Sequence, residues 1–311
     1  MDRLNQTKPS KGDDSHSRYE RDRMSHWAIH ALESAVRPNE IIPLCETEAQ
    51  KTGSYVRLVR RLIEEKSFEK AEQWIHKGIR TVGKQWPGIA SSLREKMCEI
   101  RVKQKDWPQV AVLKIEEFVR WPSTKGYKEC QKAANKVKVW SKLRKCVLVY
   151  LEKGMLPWVQ KEWPLPPPVF AAHEKNHQKQ APMIDDLINI AILEKKPDQV
   201  LHWYDQRPKQ RYGWYAQDED RIAIAVQNNA PDLAVEIWKG LAEGLIAQVK
   251  PKAYREAATY LRKAGHVMSQ QKKERDWTQY LQKLREEHIR KRSLIEILDG
   301  LEGKPILKKK R

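Results

Sequence analysis

The chain is short of glycine, phenylalanine and cysteine, and each shortage excludes something. Thirteen glycines in 311 residues are too few for an all-β protein full of tight turns. Neither G-x-G-x-x-G nor G-x-x-x-x-G-K-[ST] occurs, so a phosphate-cradling loop has no support. Four cysteines, Cys45, Cys98, Cys130 and Cys146, are widely spread with no C-x-C or C-x-x-C pair. They are expected to be reduced thiols filling a core, not disulfides or zinc ligands. No apolar run approaches the length of a membrane span, and MDRLNQTKPSKGDDSHSRYERDRMS (1–25) has no apolar leader region. A cytoplasmic protein with no membrane association is expected. No Ser-His-Asp, Cys-His or paired-carboxylate constellation stands out, so the reading is non-enzymatic, with no cofactor.

Charge and tryptophan are what the chain has in quantity. Sixty Lys and Arg against 41 Asp and Glu give a net charge of +19, and twelve Trp stand against three Phe. The excess of positive charge suits a nucleic-acid or acidic-protein partner, and equally a solvated basic surface. The tryptophans suit helical units each anchored by one large side chain.

Periodicity assigns the fold class. Residues 1–25 are too polar to offset ordering entropy and are expected to form a disordered tail. From His26 onward apolar residues recur every three or four positions. In YVRLVRRLIEE, Tyr55, Leu58, Val59, Leu62 and Ile63 share one face of a helix, with Arg57, Arg60, Arg61 and Glu64 opposite. Lys66-Ser67 interrupts it, and FEKAEQWIHKGI begins a second helix with Phe68, Ala71, Trp74 and Ile75 inward. The pair returns as Ile89–Val102, introduced by Trp86-Pro87-Gly88, and then WPQVAVLKIEEFV after a break at Lys105-Asp106. Ser67-Phe68 and Asp106-Trp107 are matched positions 39 residues apart, and Pro197-Asp198 and Pro231-Asp232 are matched 34 apart. Two helices per period of that length predict an all-α protein, an α-solenoid of helix–turn–helix, tetratricopeptide-like repeats. The stretch 157–182, PWVQKEWPLPPPVFAAHEKNHQKQAP, is too rich in proline for a helix and marks an extended linker or hinge. The predicted organisation is therefore a tail (1–25), a helical block (26–156), the linker (157–182), a second block (183–303) and a basic tail (304–311).

Two local patterns carry candidate chemistry. His173-Glu174-Lys175-Asn176-His177 fits H-E-x-x-H, which on a buried helix would present two zinc ligands, with Glu174 as general base and Glu194 as a conceivable third ligand. No apolar face surrounds the match, so a solvated linker is the better reading and His173 and His177 are remote metal candidates only. His26 and His30 also have i,i+4 spacing, read as a partly buried helix face. The stronger signal runs from Lys125 to Lys153, where nine basic residues face two acidic ones. Lys125, Lys128, Lys132 and Lys136 form one stripe of a helix, opposite Tyr127, Cys130, Ala134 and Val137. With Lys142, Arg144 and Lys145 they are the candidate anion or nucleic-acid contacts; a solvated lysine face with no ligand is the plain alternative. Arg290, Lys291, Arg292 and the tail Lys308–Arg311 add a second basic group.

Several phrases taken together resemble the region downstream of the zinc finger in bacterial SWIM zinc-finger proteins. They are TGSYVRLVRRLIEE (52–65), AEQWIHKGIR (71–80), WPGIASSLREKM (86–97), DWPQVAVLKIEEF (106–118), KEWPLP (161–166) and RKRSLIEILDGLEG (290–303). The defining C-x-C and C-x-H of that family are absent, so none of its zinc ligands carries over to a residue here. The resemblance implies interaction with protein or DNA in place of catalysis. It also implies an adaptor role beside MoxR-type AAA+ ATPases, von Willebrand factor A proteins or a polypeptide bearing the missing finger.

Overall fold

A computed structural model describes residues 14–170, 180–207 and 216–301 of the chain. The described residues are all-α. In chain order the helices are α1 (Asp14–Ser34), α2 (Ile41–Thr52), α3 (Tyr55–Glu64), α4 (Phe68–Val82), α5 (Pro87–Lys103), α6 (Trp107–Arg120), α7 (Thr124–Lys136) and α8 (Trp140–Lys153). They continue as α9 (Ile184–Leu193), α10 (Pro197–Asp205), α11 (Ala216–Val226), α12 (Pro231–Ile246), α13 (Pro251–Gln270), α14 (Glu274–Glu287) and α15 (Arg292–Leu301). Short 3₁₀ turns stand at Pro38–Glu40 and Pro157–Val159. None of these helices is long and apolar enough to cross a membrane.

Within α1–α6 and within α9–α15 helices pack on their sequence neighbours and, at α3 with α5, α9 with α11 and α13 with α15, on the second neighbour. The burial follows the 3.6-residue period. On α3 the buried residues are Tyr55, Leu58, Val59, Leu62 and Ile63, the predicted face. On α4 Ala71 and Ile75 are buried, while Phe68 and Trp74 are half-buried against the same core. α6 is more enclosed than its pattern suggested, with Val110, Ala111, Val112, Leu113, Ile115, Glu116, Phe118 and Val119 all buried. Asp106 caps it, its carboxylate accepting the Gln109 N–H at 3.2 Å. Pro197-Asp198 and Pro231-Asp232 act differently, with proline opening the helix and the aspartate in its first turn.

Five of the breaks between consecutive helices share one backbone device. Lys66, Lys105, Lys138, Lys195 and Lys272 adopt left-handed φ values of 56 to 61°. The amide that follows each one reaches back to a carbonyl of the last helical turn: Ser67 to Leu62 at 2.8 Å, Asp106 to Arg101 at 2.9 Å, Val139 to Ala134 at 3.1 Å, Lys196 to Ala191 at 2.9 Å and Lys273 to Met268 at 2.9 Å. This is the Schellman closure, usually built on glycine. A lysine there costs roughly 1 kcal/mol against glycine. A glycine-poor chain thus still makes tight helix-to-helix joints, with lysine as the left-handed residue.

The helices group into two compact units. One consists of Met1–Trp121, Lys128–Cys146 and Trp158–Asn176, the other of Pro122–Tyr127, Val147–Pro157 and His177–Arg311. In the first unit the main core is built from Leu58, Leu62, Ile75, Leu93, Met97 and Ile100, all essentially inaccessible. The helix α1 belongs to it, so residues 14–25, expected to be tail, are ordered; residues 1–13 lie outside the described residues. Over this part of α1 the contacts to the rest of the unit are chiefly ionic. Arg21 meets both oxygens of buried Glu48 at 2.7 Å, and Arg57 meets both oxygens of Asp22 at 3.0 Å. Part of the proline-rich stretch also lies on this unit. Phe170 is buried in the core, and its N–H donates to Oε1 of buried Glu116 at 2.8 Å, while Trp163 donates to the Pro166 carbonyl at 2.9 Å. The second unit packs around Trp238, Leu261, Ala257, Val226 and Leu281. The predicted basic tail, 304–311, lies outside the described residues.

Candidate functional site

The lysine stripe is where its spacing put it. α7 buries Tyr127, Cys130 and Ala134 and leaves Lys125, Lys128, Lys132 and Lys136 exposed. Lys136 is not simply solvated, since its ammonium lies 3.2 Å from the centre of the Trp107 ring. Glu129, within the same helix, takes Lys114 at 2.6 Å. Lys142 and Lys145 are exposed on α8, whereas Arg144 is half-buried and does not stand with them. The cysteines are free, and Cys45, Cys130 and Cys146 are buried. Burial pushes all four thiols upward, against the partial pull of nearby cations at Cys45, Cys98 and Cys130, which keeps them protonated and unreactive.

The metal candidates gain nothing. His173, Glu174 and His177 lie outside the described residues. Glu194 is engaged elsewhere, accepting the Tyr127 hydroxyl at 2.6 Å and pairing with Lys196 at 2.9 Å. His26 and His30 are both exposed, and His30 lies 3.6 Å from Glu33. The buried face of α1 is Ser25, Ile29 and Leu32, so the expected partial burial of the histidines is corrected. Their i,i+4 stripe points away from the core because Ile29 and Leu32 claim the inward side. Among the described residues no group of three or more His, Cys, Asp or Glu side chains could hold a metal ion.

A site that sequence reasoning did not find lies in the second unit. α12 turns Ala234, Val235, Ile237, Trp238, Ala242 and Ile246 inward. The opposite stripe, Asp232, Glu236, Gly240 and Glu243, is exposed and lines a groove of about 1260 Å³. α10 forms one wall through Leu201, Tyr204 and Asp205, and Lys273 and Asp276 at the start of α14 form another. Leu201, Leu233 and Leu241 are half-buried there, and Met268 is buried beneath. Gly240 lies mid-helix with open space over it, and a Cβ placed there would meet nothing within 4 Å. In a helix interior a glycine costs about 1 kcal/mol against alanine; here it keeps the groove clear.

The charges around the groove are unequal. Asp205, Glu219, Asp232, Glu236, Glu243 and Asp276 line it with only Arg207, Lys239 and Lys273. Arg207, its side chain only 8% exposed, is held by Asp185 at 3.1 Å and by Glu219. Lys273 pairs with Asp232 at 2.6 Å, and its hydrogen bond holds the Asp232 carboxyl below the usual range. Lys239 lies 4.1 Å above the Tyr280 ring; burial holds its ammonium below the ordinary lysine range, with Glu243 and Asp276 opposing. Tyr204 donates to Glu219 at 3.2 Å, and burial, then Glu219, push its hydroxyl up to about 12. Tyr280 donates to Glu243 at 2.9 Å. The tyrosines thus serve as hydrogen-bond donors that fix the carboxylates. The sequence signal was available as acidic residues at 232, 236 and 243 on the polar face of one helix. No protein-family model, no curated protein and no solved structure matches this chain.

Proposed function

We propose that the protein is a non-enzymatic scaffold or adaptor, a tetratricopeptide-like helical-repeat solenoid that binds a protein partner. The observation that carries this reading is the open groove along α12, floored by leucines and lined by side chains from four further parts of one helical unit. Stacked helices that expose such a groove present a surface, and a surface of this size suits a polypeptide. The phrases resembling the helical region of SWIM zinc-finger proteins support the same role. They nominate an AAA+ ATPase, a von Willebrand factor A protein or a finger-bearing chain as the class of partner. Tagged protein recovered from its native host should bring down a stoichiometric protein, and Gly240→Trp, which fills the groove, should lose it. Recovery of the tagged chain alone would overturn the adaptor reading; a partner held equally by Gly240→Trp would move the interface away from the groove.

A second reading, sequence-tolerant nucleic-acid binding, is favoured by the exposed lysines of α7. Lys125→Glu with Lys128→Glu and Lys132→Glu, leaving Lys136 on its tryptophan, should abolish duplex binding. The slope of log affinity on log salt should then fall by up to about 3, at roughly 0.9 per phosphate contact. Filter binding at several salt concentrations checks this, and an unchanged slope removes α7 as a contact.

A further inference from the structure

We propose that the α12 groove takes a basic amphipathic segment of a partner protein, apolar side chains on its floor and Lys or Arg along its rim. The inference rests on the adaptor reading and names the chemistry of the partner. Size argues first. The groove, at about 1260 Å³, exceeds the range of roughly 300–1,000 Å³ typical of small-molecule sites. From Asp232 to Glu243 its helix runs about 16 Å at 1.5 Å per residue, the length of a three-turn helical segment.

Charge argues second. Six carboxylates line the groove against three cations, and those cations are committed to Asp185, Glu219, Asp232 and the Tyr280 ring. Glu236 and Asp276 are exposed, with no ion pair or hydrogen bond among the described residues. On a chain carrying +19, a cationic segment is drawn to this groove and repelled by most other faces, so electrostatics select both ligand and place. A nucleic acid would meet these carboxylates with its phosphates and is disfavoured for the same reason. The floor argues third. Leu201, Leu233 and Leu241 are only half-buried, and apolar side chains laid over them would complete their removal from water.

The test uses the full-length protein and two fluorescein-labelled peptides, LKKLLKLLKKLLKL and the same pattern with Glu for Lys, followed by anisotropy at low and moderate salt. The Lys peptide should bind at least about tenfold more tightly than the Glu peptide. Glu236→Lys with Asp276→Lys should weaken it about tenfold or more, as should Gly240→Trp. Glu286→Lys, an equal kind of charge change on exposed α14 surface, should shift it less than about twofold. Gly240→Ala, which adds only a methyl group in open space, should keep both the fold and the binding, so a loss in Gly240→Trp reads as occlusion. Equal binding of the two peptides, or no effect of Glu236→Lys with Asp276→Lys, overturns the proposal. So does a tenfold gain on removing residues 302–311, which would make the chain's own basic end the occupant. Self-association abolished by Gly240→Trp would give the groove to a second copy and likewise overturns it. If the native partner is recovered and lost in Gly240→Trp while the Lys peptide does not bind, the adaptor reading stands and the basic segment falls.

Discussion

Trp238→Ala is expected to cost about 3–5 kcal/mol, the range for removing a large buried aromatic side chain. Trp238 is 1% exposed and is the largest fully buried side chain among the described residues. Its indole N–H donates to Asp220 at 2.8 Å, and Lys263 meets the same carboxylate at 2.6 and 2.7 Å. One side chain therefore ties α12 to α11 and, through Asp220, to α13. Alanine opens a cavity in the core that Trp238 shares with Val200, Ala223 and Leu261 and takes one donor from Asp220, which keeps Lys263. Against a typical total of about 5–15 kcal/mol, a large share of the margin disappears. Trp238→Phe should cost less, about 1–2 kcal/mol, because it retains most of the volume and loses chiefly the hydrogen bond. Urea titration followed by circular dichroism separates the two, and an Ala variant as stable as the parent would contradict the packing described.

Arg21→Ala should release α1. It leaves Glu48, 4% exposed at its side chain, without its two-pronged partner and, among the described residues, with only Lys51, 3.8 Å away. Leaving a buried charge uncompensated costs about 3–5 kcal/mol. The protein has an escape, because undocking α1 returns Glu48 to water, so the loss is capped at the docking free energy of that helix. Undocking is opposed by the Asp22–Arg57 pair, the bond from Arg57 to Ser25 at 2.8 Å, the Glu33–Arg61 pair, Arg18 over the Trp86 ring and the burial of Ile29 and Leu32, among other contacts. Amide exchange should speed up across 16–34 and stay slow in α3 to α6. Arg21→Lys should fall between, since an ammonium keeps the charge but cannot span both oxygens. Uniform protection in Arg21→Ala would show that α1 is held by its apolar side alone.

These two residues mark what the sequence made legible. Trp238 lies in a periodic apolar pattern after a proline-aspartate start, so both its helix and its inward direction could be read from spacing. The breaks at Lys66 and Lys105 were equally readable, but not their mechanism, because a left-handed lysine looks like any other lysine until its φ is known. Arg21 and Glu48 are 27 positions apart, and nothing local announces that two polar helices will pair through charge; the polar composition of 14–25 therefore pointed to disorder. The lysine stripe of α7 was legible because one helix contains all of it. The groove was not, since Tyr204, Glu219, Glu236 and Asp276 converge only when four helices pack, and an acidic rim is invisible in a chain whose total charge is strongly positive.

The threading of the two cores has a practical consequence. Because Pro122–Tyr127 and Val147–Pro157 belong with the unit that carries the groove, no single cut releases that unit whole. A fragment beginning after the proline-rich stretch would leave behind α8's last two turns, including Val147, Tyr150 and Leu151, which are buried, and with them the Leu151 carbonyl that accepts the Met183 N–H at 2.8 Å. A piece that keeps the groove-bearing unit whole starts at or before Pro122. Serial truncation from the N-terminal side would therefore disturb the fold of this unit well before the groove itself is reached.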